Sequence, residues 1–156
     1  MDNLHEYLHK LPKADVHSHF HLGGSQKRFL EKYNAYFSFP KNYDGLDGMI
    51  HFIYKHLNNY MTTKEDVINF MEMSIQSSID DNITYLEASV DVGLARFFND
   101  SIEAVIYEIK KIKEKHKSKI NFRPEIGFNK ELPLKKVYSY AEICIDSGVF
   151  NGIDIY

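Results

Sequence analysis

From residue 83 onward the chain alternates short apolar runs of strand length with runs of helical period, and that order constrains the fold more than any other feature. Ile83 to Asp91, Ile120 to Phe128 and Phe150 to Tyr156 read as strands. Between the first two, Ile102, Val105, Ile106, Ile109 and Ile112 fall on one helical stripe within residues 102–115. Between the last two, Leu134, Val137, Tyr138, Ala141 and Ile145 do the same, with Pro133 near the first turn and Gly148 after the last. Strands separated by helices of about ten to fifteen residues form βαβ units, whose strands lie parallel in one sheet. Pro124 argues against a central position for its strand, because proline removes one ladder donor.

The upstream third is organised differently. Asp2 to Lys10 suits a short helix that packs Leu4 and Leu8. Residues 14–21 then alternate as Ala14-Asp15-Val16-His17-Ser18-His19-Phe20-His21 and read as a first strand, which Gly23-Gly24 breaks. Ser25 is placed to cap a helix running to about Tyr36, and residues 37–48, with Pro40, Gly45 and Gly48, read as a loop. Met49 to Tyr60 places Ile50, Ile53, Tyr54 and Leu57 on one stripe. A following helix is marked by a capping box of Thr62 and Glu65 and by Val67, Met71, Ile75 and Ile79 at intervals of four. The expected fold class is therefore α/β, of the (β/α)8 TIM-barrel type: the first four βα units, with a helical insertion after strand 1. Such barrels take about 250 residues, and the sequence stops inside its last strand. Residues 1–156 are expected to be the N-terminal half of a single barrel domain, with open sheet edges that offer a route to self-association.

Composition narrows the functional classes. With a net charge of −3, the chain lacks the basic excess that nucleic-acid binding demands. The lysines at 110, 111, 113, 115, 117 and 119 close a helix, where cations suit the carbonyl end of its dipole. No apolar run approaches the roughly 20 residues of a membrane span, and the first twenty residues have no signal-peptide core. The single cysteine, Cys144, excludes an internal disulfide framework. A soluble, cytoplasmic protein without membrane or nucleic-acid partners is expected.

The chemistry concentrates on the first strand. Residues two apart on a strand share a face, so His17 and His19 can offer imidazoles to one ion, and zinc accepts such nitrogens. His21 shares that face by the same alternation, which leaves two candidate ligand pairs, His17 with His19 or His19 with His21. In the first case His21 becomes a substrate contact above the metal. Asp15 supports the metal or starts the strand. Gly23 and Gly24 permit a sharp turn and close approach of the backbone to a substrate. On the later strands, Glu87, Ser89 and Asp91 share one face and Arg123 and Glu125 another; ion pairing of Arg123 with Glu87 or Glu125 is the expected use of these charges.

The stretch Leu11-Pro12-Lys13-Ala14-Asp15-Val16-His17-Ser18-His19 resembles the opening of the adenosine deaminase family of metal-dependent amidohydrolases. Asn82-Ile83-Thr84-Tyr85-Leu86-Glu87 is similar to that family's second strand, although Ser89 stands where the family carries an arginine. Gly152-Ile153-Asp154-Ile155 is similar to its fourth strand. The resemblance implies one zinc ion, Zn2+, held by His17, His19, a later histidine and an aspartate, and activating water for attack on C6 of an adenine ring. It also implies that the acid and base residues of catalysis lie beyond Tyr156, so that none falls within this chain. A purine nucleoside is the implied small-molecule substrate. Two rivals follow from the residues: an amidohydrolase for another aminopurine or a cyclic amide, suggested by Ser89 and the altered turn, and a non-catalytic half-barrel acting as an interaction module.

Overall fold

The computed structural model describes residues 2–156. Helix α1 (Asp2–Lys10) leads into strand β1 (Lys13–His19); α2 (Gln26–Tyr33), α3 (Gly45–Leu57) and α4 (Lys64–Asp80) form the insertion. Strand β2 (Ile83–Asp91), α5 (Ile102–His116), β3 (Asn121–Phe128), α6 (Leu134–Asp146) and β4 (Gly152–Ile155) follow in regular alternation. All four strands are parallel and adjacent in chain order, β1-β2-β3-β4. The sheet curls into half of a TIM barrel, as the alternation predicts.

Period-two patterning divides each strand between two faces. Leu86, Ala88 and Val90 of β2 and Phe122, Ile126 and Phe128 of β3 are buried. They join one core with Val67, Met71 and Ile75 of α4 and Val105, Ile109 and Ile112 of α5. The intervening residues, Glu87, Ser89, Asp91, Arg123, Glu125 and Gly127, face the concave side. On the two outer strands, β1 and β4, the apolar residues are uncovered: Val16 is 63% exposed and Ile155 71%.

Pro124 fits β3 because of where its backbone points. Its carbonyl accepts from Asn151 N at 2.8 Å, so its missing donor faces β4 just before that ladder begins at Glu125 and Gly152. No ladder hydrogen bond is lost there.

Elsewhere the boundaries move for local reasons. β1 ends at His19, and Phe20–Leu22 form a 3-10 turn, because Phe20 leaves the alternation to bury its ring against Phe122, with centroids 4.6 Å apart. Ser25 does cap α2, accepting from Arg28 N, but that helix stops at Tyr33, where Asn34 takes a left-handed φ of 49°. α3 begins earlier than expected, at Gly45, and the capping box of α4 is Thr63 with Asp66, one residue beyond the expected pair. The Asp66 carboxylate also accepts from Thr62 N and Oγ1, so both threonines contribute to the turn. Burial works to raise the Asp66 carboxyl, but these hydrogen bonds outweigh it and hold it below the ordinary value. A 3-10 stretch, Val92–Phe98, follows β2 and has no periodic signature in the sequence.

Candidate metal centre

The C-terminal ends of parallel strands form the mouth of a barrel, where side chains from different strands converge. His19 is the last residue of β1, Asp91 the last of β2, and Asp154 lies one residue before the end of β4. β1 and β4 are the two outer strands of the sheet, yet its curl brings them together across the concave side. The ligand atoms of His17, His19 and Asp154 all lie within 4.8 Å of one another. The two imidazole rings stand edge to face with centroids 5.8 Å apart, and Tyr156 packs edge-on against His19 at 5.0 Å.

Small residues on the intervening strands leave room for this crossing. Across β2 and β3 the concave rows read Ser89 beside Glu125, then Asp91 beside Gly127, and Gly127 pairs with Asp154. A Cβ at Gly127 would collide with Ser89 Oγ and lie 3.3 Å from the Asp91 backbone. Asp15 and Asp91 are already engaged: Asp15 Oδ1 accepts from His17 N at 3.2 Å, and Asp91 Oδ1 from Gly93 N at 2.6 Å. Asp154 differs, since its Oδ2 is buried and has no hydrogen-bond partner among the described residues. Two imidazole nitrogens and a carboxylate oxygen are a donor set that zinc accepts. Burial raises the Glu125 carboxyl, and the negative charges of Glu87 and Asp154 raise it further against the effect of His17. The Tyr156 hydroxyl is raised by burial, then by the charge of Asp91 and a hydrogen bond to it.

His21 does not join the pair. The 3-10 turn takes it off the strand alternation, and it lies outside the His17–His19–Asp154 group. It is buried with Nδ1 unpartnered among the described residues. Burial pushes its imidazole down to about 4, with Asp91 opposing and the charges of His19 and Arg96 adding, so it is neutral at pH 7. It lines a cavity of about 230 Å³ together with Gly24, Phe29, Phe52 and Met73. Gly23 is not part of that lining; it lies against α4, where a Cβ would collide with Ser74 Oγ.

The expected ion pairs of Arg123 are absent among the described residues. Glu87 instead accepts from the Tyr85 hydroxyl, and no carboxylate lies within 4.0 Å of the guanidinium. Sequence reasoning missed Asp154 as a neighbour of the histidines. The available signal was its place as the acidic residue in Gly152-Ile153-Asp154-Ile155-Tyr156, where alternation puts 152, 154 and 156 on the concave side.

Fold and site together define part of a TIM barrel with a histidine-rich mouth. Comparison with known proteins gives the same fold. The chain superposes on an amidohydrolase from Burkholderia ambifaria with bound zinc (TM-score 0.64, 16% identity, 97% of this chain, 45% of that one). It also superposes on the N6-methyl-AMP deaminase from Arabidopsis thaliana (TM-score 0.68, 16% identity, 97% of this chain, 50% of that one). These establish the fold. No family model matches. In sequence, the chain is 30% identical over 152 residues to a Treponema pallidum (strain Nichols) protein named as an adenosine/adenine deaminase, spanning 97% of this chain and 51% of the relative. The resemblance to adenosine deaminases carried by the first strand is therefore borne out. The chain spans about half the length of the relatives it matches.

Proposed function

We propose that residues 1–156 are the N-terminal half of a zinc-dependent hydrolase barrel that removes an amino group from adenosine or a related purine. The observation that carries this reading is the convergence of His17, His19 and Asp154 within 4.8 Å at the mouth of the half-barrel. The names of the relatives, deaminases and a zinc-containing amidohydrolase, support the same chemistry. A zinc ion held at His17 and His19 would supply a Lewis acid that makes water a nucleophile near neutral pH.

The chain's own residues have two tasks in this reading. His17 and His19 hold their imidazoles at the mouth, His19 braced by the Tyr156 ring. The cavity beside them, walled by Phe29, Phe52 and Met73, takes the flat apolar face of a purine and excludes water. His21, neutral and buried, offers a ring nitrogen to the polar edge of the base, and Gly24 keeps the wall of the pocket low. Catalytic acid and base groups come from downstream of Tyr156.

The test is zinc-dependent deamination of adenosine, adenine and N6-methyl-AMP, followed by ultraviolet absorbance, in the protein as encoded by its gene. Loss of activity in His17→Ala and His19→Ala is expected. The 156-residue chain alone is expected to give no turnover, and inosine production by it would overturn the half-barrel reading.

A further inference from the structure

We infer that Asp154 is a third metal-holding residue, so that this chain by itself offers a divalent cation two imidazoles and one carboxylate from opposite edges of its sheet. The inference rests on the reading of His17 and His19 as metal-holding residues. It adds a residue 135 positions from His19 in sequence, brought in by the curl of the sheet alone.

Three observations carry it. The first is proximity: ligand atoms within 4.8 Å compare with edges of about 3.3 Å in a tetrahedral site with bonds of about 2.0–2.1 Å. His17 is exposed and free to rotate by the difference. The second is that Asp154 has no other occupation. Asp15 and Asp91, the other aspartates of the concave side, each accept from a backbone N–H, and the described cations make no ion pair with Asp154 within 4.0 Å. Its Oδ2 is nonetheless buried and unpartnered. A carboxylate oxygen withdrawn from water needs a donor or a cation, and the two histidines offer ligating atoms within 4.8 Å of it. The third is the space kept around it. Its register neighbour on β3 is Gly127, which presents no side chain, and Ser89 lies beyond. The ligand set suits zinc and other borderline divalent ions.

The experiment is equilibrium binding of Zn2+ and Co2+ to the 156-residue chain, with the visible Co2+ spectrum reporting coordination. One ion per chain is expected. His17→Ala and His19→Ala should abolish binding, and Asp154→Asn should weaken it at least tenfold with far-ultraviolet circular dichroism unchanged. Asp154→Cys should introduce a thiolate-to-Co2+ charge-transfer band, which a carboxylate acting only at a distance would not produce. Binding that is lost in the histidine variants but unchanged in Asp154→Asn overturns the role of Asp154 and leaves the histidine pair standing. Failure of the unaltered chain to bind either ion overturns both.

Discussion

Substituting Gly127 by alanine tests whether the floor of the mouth is as tightly built as the structure describes. The added methyl would overlap Ser89 Oγ and lie 3.3 Å from the Asp91 backbone, so β2 and β3 must separate by a few tenths of an ångström or the serine must turn. Overpacking of this kind costs about 1–3 kcal/mol. Replacing glycine returns about 0.4–1 kcal/mol by restricting the unfolded chain. The net destabilisation is then between about 0 and 2.6 kcal/mol, and at about 2–4 °C per kcal/mol for a chain of this size Tm falls by up to about 10 °C. The same substitution in a Ser89→Ala background is relieved of its closest contact, the serine Oγ, so the double variant should be less destabilised than the sum of the singles by at least about 0.5 kcal/mol. Thermal and urea unfolding of the four proteins measure the cycle. A rise in Tm for Gly127→Ala, or strict additivity with Ser89→Ala, would refute the packing argument and mean that the strands are further apart.

Other positions give independent expectations. Phe20→Ala removes a fully buried ring stacked on Phe122 beneath the turn that follows β1, and should cost about 3–5 kcal/mol in urea unfolding. Thr63→Ala removes one arm of the α4 capping box and should cost about 1 kcal/mol in the same assay. Glu72 joins α4 to α5 through Lys115 Nζ and His116 Nε2, each at 2.9 Å. Burial works to raise its carboxyl, but these hydrogen bonds and charges prevail and hold it below the ordinary value of 4.5. A depressed carboxyl contributes stability above its unfolded pKa that is lost as pH falls through the folded one. Glu72→Gln should thus lower stability at pH 7 by about 1–2 kcal/mol and flatten the acid loss below about pH 4.5; an unchanged acid slope would contradict it.

The sequence carries the fold through its periodicities. β2 begins and ends where its alternation does, and the stripes of α4 and α5 supply the buried faces expected of them. What it hides depends on long-range packing. The alternation of Ala14 to His21 continues past the point where β1 stops, because burial of Phe20 against Phe122, a residue of another strand, overrides local period. His21 is consequently a cavity residue and not a third histidine on the strand face. The proximity of Asp154 to His17 and His19 comes from sheet curvature, which no local pattern encodes. The charges of Arg123 and Glu87 looked complementary and share a register position, yet a tyrosine two residues from Glu87 reaches it instead.

The chain-order sheet has a consequence for how the molecule is made. β3 and β4 each emerge from the ribosome beside a partner that precedes them by one helix, whereas β1 must wait for some sixty residues of insertion before β2 exists. At about 5–20 residues per second that interval lasts about 3–12 s. During it the histidine strand has no neighbour to pair with, and the helices of the insertion are the first elements able to shield it. His17 and His19 thus precede Asp154 in synthesis by 135 residues or more, so the cluster is gathered only after β2, β3 and β4 have all emerged.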